Sequence, residues 1–305
     1  MERYRSLNSF FKEKFGQRIQ KIPIDAGLGC PNRDGTISDR GCIFCDRRGS
    51  GTGAMIDKGI SISKQVEEWS KFLDKRYGAK RFIAYFQSFT NTYGPINKLK
   101  GLYDEALRYP NIVGLAIGTR PDCIDKQILN LISTYKNRYM VWIELGLQSA
   151  HDKTLRLINR GHDVECFERA VKMCSDYGID LCVHIILGLP GEDREMMIQT
   201  AQYISKLPIW GIKIHHLYIT RGTQMEVLWK SGRYRCLERD AYIDIVVDIL
   251  EYLPPDMVIH RLIGDPIPSE LVAPQWSLEK NKTLHLIRKR LQERNTYQGK
   301  LYKNH

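Results

Sequence analysis

Short β-rich runs alternate with stretches of helical spacing along almost the whole chain. Consecutive runs lie mostly about 30 residues apart, which is typical of βαβ units with parallel strands. Seven runs are found, at residues 21–27, 81–87, 112–118, 139–145, 180–187, 211–218 and 257–262. The pattern therefore predicts an α/β fold whose parallel sheet curls into a partial (β/α)6 TIM-like barrel with short N- and C-terminal extensions.

The segment between the first two runs shows helical spacing clearly. Its sequence "SKQVEEWSKFL" places Val66 and Trp69 on one face, together with Phe72 or Leu73. Apolar residues that recur at intervals of three and four positions predict an amphipathic helix. We expect this helix to cover the sheet with its apolar face.

The positive charge is concentrated at the two ends of the chain. The net charge is +11, residues 1–21 carry six Lys/Arg against two Glu, and residues 279–305 carry eight against two. Such ends favour a polyanionic partner, nucleic acid first, although solvated terminal segments would carry the same charge. We divide the chain into a basic N-terminal extension (1–20), a barrel (21–262), and a C-terminal loop with a basic helix (263–305).

The C-terminal segment "SLEKNKTLHLIRKRLQER" predicts an amphipathic helix. Its apolar stripe consists of Leu284, Ile287 and Leu291. The basic residues surround that stripe and are Lys280, Arg288, Lys289, Arg290 and Arg294. We expect the stripe to dock on the barrel and the basic side to meet phosphates, with a plain solvated helix or a membrane-surface helix as alternatives.

The chain offers no signal for a membrane or for export. Its longest apolar pieces, such as "LCVHIILGL" at residues 181–189, are much shorter than the roughly 18–20 residues of a membrane helix. The N-terminus "MERYRSLNSFFKEKFG" lacks the apolar stretch of a secretory signal. We therefore expect a cytoplasmic protein without a membrane partner, and in that reducing compartment its eight cysteines are poor evidence for disulfides.

Three cysteines, Cys30, Cys42 and Cys45, follow the first predicted strand, where parallel barrels carry their chemistry. A structural zinc site usually has four protein ligands, and the first histidine is His151. A nearby aspartate could complete a zinc shell, but three thiolates and a carboxylate would be an unusual set. An iron–sulfur cluster held at three corners fits better, because its fourth iron stays open for a substrate or cofactor. The other five cysteines form no tight pair and are interpreted as small buried hydrophobes.

This loop resembles the cluster loop of the radical S-adenosylmethionine (SAM) superfamily, in the widely spaced variant of its elongator-like branch. Phe44, directly before the last cysteine, belongs to the same resemblance. It implies a 4Fe-4S cluster whose open iron binds the amino and carboxylate groups of SAM, and whose reduced form releases a 5′-deoxyadenosyl radical. It also implies that residues 21–262 are the radical SAM barrel and that reduced flavodoxin or ferredoxin donates the electron.

Two downstream motifs extend the resemblance over most of the chain. The stretch "ELGLQSAHDKTLRLINRGH" (144–162) resembles a fourth strand and following helix in which Gln148 and Arg160 hold the ribose and carboxylate of the cofactor. Glu144 is a second candidate for the ribose. The stretch "HIILGLPGED" (184–193) resembles the fifth-strand motif near the adenine, with His184 where relatives often carry an acidic residue.

The end of the second predicted strand departs from the family pattern. Many members have a glycine-rich stretch there that receives the methionyl amine, whereas this chain has "YFQSFTNTYGP". Its polar side chains could keep that function with different atoms, and they are Gln87, Ser88, Thr90 and Asn91. Thr119 and Arg120 follow the third strand and are expected at the same mouth, as contacts to cofactor or substrate or as a structural turn.

These departures, with the tail "HRLIGDPIPSELVAPQW", resemble a short bacterial subfamily associated with wobble-uridine modification of tRNA. The resemblance implies tRNA as a partner, conversion of 5-carboxymethylaminomethyluridine to 5-aminomethyluridine, and a downstream methyltransferase in the same pathway. Hydrogen abstraction beside the carboxylate would lead to an imine that water hydrolyses, and Arg120, Lys213 and His215 are candidates to bind the carboxylate. A radical SAM enzyme with a small-molecule substrate and a non-catalytic iron–sulfur or zinc nucleic-acid binder are the alternatives.

Overall fold

Seven parallel strands form the main sheet in a computed structural model that describes residues 2–49 and 59–303. The strands follow in the order β1-β2-β3-β4-β5-β6-β8, and β7 and β9 form a separate antiparallel pair. Their bounds are β1 Ile19–Ile24, β2 Arg81–Phe86, β3 Ile112–Thr119, β4 Met140–Gln148, β5 Asp180–Leu187, β6 Gly211–His216, β7 Ile219–Thr220, β8 Val258–Arg261 and β9 Leu271–Ala273. Each of the seven predicted runs overlaps one strand of the main sheet.

Helices connect the strands as six βα units followed by a last strand, which confirms the predicted partial barrel. They are α1 Leu7–Phe15, α2 Ile62–Tyr77, α3 Ile96–Leu107, α4 Lys126–Ser133, α5 Asp152–Leu157, α6 Val164–Asp176, α7 Arg194–Ile204, α8 Gln224–Lys230, α9 Arg239–Tyr252 and α10 Lys280–Glu293. Aspartates cap three of them, since the side chains of Asp125, Asp163 and Asp193 each accept a hydrogen bond from a backbone N–H of the first turn.

The helix predicted from "SKQVEEWSKFL" is α2. Val66 and Leu73 are buried against the sheet, and Trp69 packs at the edge of the core. Phe72 is 45% exposed, so Leu73 is the member of that pair that faces the core. The apolar face of α2 therefore covers one edge of the sheet.

The barrel interior changes from apolar to polar along the strands. At its lower end, Leu7 and Phe11 of α1 pack with Trp142 and Met140 of β4. Further along β4, Glu144 lies on the same interior face as Trp142, because side chains alternate with a period of two. The helix α1 thus closes the bottom of the barrel, and the polar side chains of the strands are left facing its mouth.

The C-terminal helix α10 docks by the predicted stripe, since Ile287 and Leu291 are fully buried. Its basic side, however, is partly used inside the molecule. Arg294 bonds Asp248 of α9 at 2.8 Å, and Arg290 and Arg294 both contact Asp244. The spacing of four residues on each helix brings these pairs into register. This corrects the expectation that the whole basic side is available to phosphates.

Among the described residues, no helix combines the length and the apolar character that crossing a bilayer requires.

Candidate active site

A cavity opens at the carboxyl ends of the strands, and most of the predicted site residues line it. They are Cys30, Cys42, Phe44, Cys45, Gln87, Thr119, Arg120, Glu144, Gln148, Arg160, His184, Lys213 and His215. Ser88 and Asn91 are the exceptions, because they are 1% and 0% exposed and do not line this wall. Thr90, which lies between them in the chain, lines the cavity. The topology thus gathers residues from six segments at one mouth, as parallel barrels do.

Hydrogen bonds fix the shape of the cysteine loop, which contains Cys30, Cys42 and Cys45. Some come from within the loop and one comes from the segment after α5. Arg33 donates to the backbone carbonyls of Cys45 at 2.8 Å and Asp46 at 2.5 Å. Asn159, which follows α5, donates to the carbonyl of Gly41 at 2.7 Å. Asn32 donates back to the carbonyl of Asn159 at 2.7 Å. Hydrogen bonds within the protein therefore hold the loop against the segment after α5 without the help of a metal.

Two donors point at the sulfur of Cys42. Asn32 Nδ2 and Arg160 Nη1 each lie 3.6 Å from Cys42 Sγ. Outer-shell donors of this kind also orient the sulfur of a cysteine that binds metal. All eight cysteines are free of disulfides.

The three cysteine sulfurs do not all lie within 4.8 Å of one another. In the described part of the chain, the one group of three metal-binding side chains whose ligand atoms all lie within 4.8 Å of one another does not include these cysteines. Zn–S bonds of about 2.3 Å in a tetrahedron would place the sulfurs only about 3.8 Å apart. The wider spacing favours a polynuclear cluster over a lone ion.

The end of β4 holds Gln148 and Arg160 close together. Gln148 has a φ of 76°, which non-glycine residues rarely adopt, and the pairing with β5 shifts register at this point. Arg160 Nη2 donates to the carbonyl of Gly146 at 2.7 Å. A Cβ at Gly146 would lie 2.5 Å from Gln148 Nε2 and 2.8 Å from Arg160 Nη2. The missing side chain of Gly146 therefore gives these two polar groups their place on the wall.

Two buried polar atoms on the cysteine side of the cavity lack a partner among the described residues. Arg120 is 3% exposed and binds Asp122 bidentately, at 2.9 Å and 2.6 Å, yet its Nη1 has no hydrogen bond. The hydroxyl of Thr90 is also unpartnered. Buried groups of this kind are normally satisfied, so they fit a bound molecule with a carboxylate and an amine. Thr119, by contrast, bonds Thr92 at 2.6 Å.

Deeper in the barrel than Gln148, an ion cluster surrounds Glu144 of β4. Its carboxylate accepts from Trp142 at 3.0 Å, His184 at 2.9 Å and Lys21 at 3.4 Å, and it contacts Lys213 directly. Burial alone would raise the pKa of Glu144, but Lys21 and Lys213 hold it well below its usual range. With these contacts made, its oxygens have little capacity left for a ribose, so its first role is inside this cluster.

Both histidines beside the cluster are neutral near pH 7. Burial and the nearby Lys213 lower the pKa of His184 to about 4. Burial, Arg261 and His184 hold the pKa of His215 well below its usual value. Burial lowers the pKa of Lys213 to about 7, so near neutral pH this lysine is only partly charged, and two lysines against one carboxylate carry less than one net positive charge.

The group of metal-binding atoms within 4.8 Å consists of Glu144, Cys182 and His184. Lys213 already contacts the carboxylate oxygen that would face an ion there. Burial also raises the pKa of the Cys182 thiol, first through desolvation and then through Glu144. This group is therefore an ion-pair cluster rather than a second metal site.

Comparison with known proteins identifies the family. A sequence profile described as the radical SAM superfamily matches residues 28–204, which is more than half of the chain. A second profile, described as the radical SAM C-terminal domain, matches residues 209–293. The chain belongs to the radical SAM superfamily. It lies in the elongator-like branch, and its cofactors are accordingly a 4Fe-4S cluster and SAM.

Relatives of this radical SAM protein are similar over nearly its whole length. YtqA of Bacillus subtilis is 39% identical over 301 residues, which cover 99% of this chain and 93% of that protein. MJ0486 of Methanocaldococcus jannaschii is 42% identical over 297 residues, which cover 95% of this chain and 89% of that protein. The archaeal Elp3 of Methanocaldococcus infernus has the same fold, with a TM-score of 0.71 and 18% identity over 92% of this chain and 64% of that one.

The residues present fit the radical SAM cofactors. Cys30, Cys42 and Cys45 line the same cavity as the unpartnered Arg120 Nη1 and Thr90 hydroxyl. The three cysteines suit a cluster with one open corner. The guanidinium and the hydroxyl suit the carboxylate and amine of an amino acid. Sequence reasoning missed other residues of the site, which are Lys21, Asn32, Arg33, Tyr85 and Arg261. The position of Arg33 between Cys30 and Cys42 was the one available signal for its role.

We predict that the stability of this radical SAM protein falls between about pH 6.5 and pH 4.5. Burial lowers the pKa of His216 to about 3 and holds that of His260 well below its usual value. In this window the unfolded chain binds protons that the folded chain excludes. Each histidine therefore lowers the free energy of unfolding by roughly 1.4 kcal/mol for each pH unit of acidification. Urea unfolding at several pH values measures the slope. His216→Gln should reduce the slope by roughly 1.4 kcal/mol per pH unit, and the exposed His285→Gln should leave it unchanged. A slope that stays flat in the unaltered protein contradicts the prediction.

Proposed function

We propose that this radical SAM protein modifies tRNA and converts wobble 5-carboxymethylaminomethyluridine to 5-aminomethyluridine. The observation that carries the proposal is a single cavity with two different ends. One end holds the cysteine loop with the unpartnered Arg120 Nη1, and the other holds the basic side chains of Lys213 and Arg261 beside Glu144. Such a cavity suits a substrate whose reacting carbon carries a carboxylate. The likeness of "FQSFTNTYGP" and the tail to the wobble-uridine subfamily supports the same substrate.

The chain's own residues divide the work of holding the cofactors. Cys30, Cys42 and Cys45 would bind the cluster, and Gln148 and Arg160 would hold the SAM ribose and carboxylate. A carboxamide shares hydrogen bonds with a diol, and a guanidinium binds a carboxylate bidentately. When bound, the cofactor pair supplies a carbon radical from one-electron cleavage of SAM.

The proposed substrate is chemically suited to this pair. Its methylene lies between a nitrogen and a carboxylate, so a radical at that carbon is stabilised from both sides. Removal of one hydrogen atom and then one electron gives an imine, with SAM as the oxidant. Water adds to the imine carbon and the C–N bond breaks, so the products are the aminomethyl nucleoside and glyoxylate. Burial lowers the pKa of His184 to about 4 and holds that of His215 well below its usual value, so neither is matched to accept a proton near pH 7, whereas Lys213, whose pKa burial lowers to about 7, is better matched.

The rim of the cavity carries exposed arginines. Arg40 and Arg47 lie on the cysteine loop with side chains 84% and 74% exposed. Their ion pairs, at 3.9 Å to Asp39 and 4.0 Å to Glu270, are long and contribute little. These side chains support docking of a phosphate backbone at the mouth, in addition to the basic termini.

The test is conversion of the modified nucleoside in vitro. Anaerobically reconstituted protein, SAM, dithionite and tRNA that carries 5-carboxymethylaminomethyluridine should yield 5-aminomethyluridine and glyoxylate in equal amounts. Nucleosides are measured by mass spectrometry after digestion. If 5′-deoxyadenosine forms while the nucleoside stays unchanged, the protein is a radical SAM enzyme with another substrate, such as a small molecule.

We predict that Gly146→Ala weakens SAM binding about tenfold to hundredfold. The added Cβ would displace the amide of Gln148 and the guanidinium of Arg160, which lie 2.5 Å and 2.8 Å from it. This loss of affinity corresponds to the free energy of one charge-assisted hydrogen bond. Calorimetric titration of SAM into the reconstituted protein measures it. Gly101→Ala is the control, because no atom lies within 4 Å of its Cβ; equal affinity in both variants would contradict the role of Gln148 and Arg160.

A further inference from the structure

Arg261 at the end of β8 stands out among the cations that line the cavity. The four others already have a place: Arg33 holds two loop carbonyls, Lys213 contacts Glu144, and Arg120 and Arg160, which bond Asp122 and Gly146, are assigned to the cofactor end. Among the described residues, the Arg261 side chain has no hydrogen bond, ion pair or ring contact. It is half-buried, so its guanidinium is positioned to bind a ligand inside the barrel.

A local irregularity of the sheet brings Arg261 into the cavity. Ile212 of β6 pairs with Ile259 of β8, but the next residue, Lys213, pairs with Arg261, so His260 is an extra residue on β8. A bulge of this kind re-aims the side chains that follow it. Lys213 also pairs with His184 across β5 and β6. Because paired residues share a face of a sheet, Arg261 lies in the same interior layer as Lys213 and His184.

The position of Arg261 separates it from the cofactor end of the cavity. The cysteine loop follows β1, at one edge of the sheet, and Arg261 lies on β8, at the other edge. Its neighbours are His215 and Lys213, whose pKa values it helps to lower. A free guanidinium beside a neutral histidine offers planar donors to a carboxylate.

We infer that Arg261 binds the carboxylate of the substrate and so selects a substrate with a carboxymethylamino group. This inference rests on the proposed function and replaces the three carboxylate ligands expected from the sequence. Arg120 binds Asp122, Lys213 is occupied by Glu144, and His215 is neutral. Arg261 holds the carboxylate at the end of the cavity away from the cysteines, and the adjoining methylene then faces the cofactor.

The test compares the affinities of two proteins for two tRNAs. Binding is measured without reductant, so that no reaction takes place. The unaltered protein should bind tRNA with the carboxymethylaminomethyl group about tenfold to hundredfold more tightly than tRNA with the aminomethyl group. Arg261→Gln should bring this ratio close to one. Arg288→Gln is the charge-matched control, because Arg288 is exposed, lines a different cavity and should leave the ratio unchanged. A ratio that survives in Arg261→Gln overturns the inference.

Two further measurements identify the anion. The affinity for SAM and the iron content of Arg261→Gln should match those of the unaltered protein; weaker SAM binding would mean that Arg261 holds the cofactor carboxylate instead. N-methylglycine, titrated alone, should bind the unaltered protein and not Arg261→Gln. If it does so while tRNA with the carboxymethylaminomethyl group stays unconverted in the complete reaction with reductant, the carboxylate site stands and the proposed tRNA substrate is wrong. If N-methylglycine binds both proteins equally, the inference is wrong whatever the substrate.

Discussion

Cys42→Ala should lose its iron and all SAM cleavage. Cys42 is one of three corners of the proposed cluster site, and its sulfur receives the donors Asn32 and Arg160. With two cysteines left, the 4Fe-4S cluster lacks a ligand that the protein cannot replace. Iron in the anaerobically reconstituted protein should fall from about four atoms per chain to background. No 5′-deoxyadenosine should form with SAM and dithionite.

Cys166→Ala is the matched control for this loss. Cys166 lies on α6, away from the loop, and its backbone N–H is capped by Asp163 whatever the side chain. The control should keep its iron and its colour. If Cys42→Ala retains a full complement of iron, or if the unaltered protein holds one zinc ion instead, the cluster assignment is wrong.

Glu144→Ala should destabilise the protein by roughly 3–5 kcal/mol, the usual cost of removing one partner of a buried ion pair. The side chains of Glu144 and Lys213 are 0% and 3% exposed, and Lys21 lies within 3.4 Å of the same carboxylate. Without the carboxylate, two lysines face each other with no counter-charge. Urea unfolding at pH 7.5 measures the loss.

The double variant Glu144→Gln with Lys213→Met separates charge from packing. It removes both charges of the closest pair, so most of the lost stability should return. If the double variant is as unstable as Glu144→Ala, the loss comes from packing around Trp142 rather than from the unpaired lysines. If Glu144→Ala is as stable as the unaltered protein, the ion cluster does not stabilise the fold.

The strands were predictable from sequence because each carries its own local pattern. Seven β-rich runs separated by helical stretches predict parallel strands. The apolar stripe of α10 is likewise predicted by the spacing of residues within that one segment. The cysteine loop was predictable for a similar reason, since Cys30, Cys42 and Cys45 lie close together in the chain.

The interior cluster was not predictable, because it depends on the register between distant strands. Lys21 and Lys213 meet Glu144 from β1 and β6, more than 60 residues away on either side. The bulge at His260 that aligns Arg261 with Lys213 leaves no mark in the sequence. The use of Arg290 and Arg294 against α9 likewise depends on how two helices pack.

The central claim is that one cavity joins SAM chemistry to a carboxylate-bearing wobble uridine. The most direct test supplies tRNA with deuterium on the methylene of the carboxymethylamino group, together with the reconstituted protein, SAM and dithionite. Deuterium should appear in 5′-deoxyadenosine in step with formation of 5-aminomethyluridine. Conversion of the nucleoside with no deuterium in 5′-deoxyadenosine, or labelled tRNA that is left intact while SAM is cleaved, would contradict it.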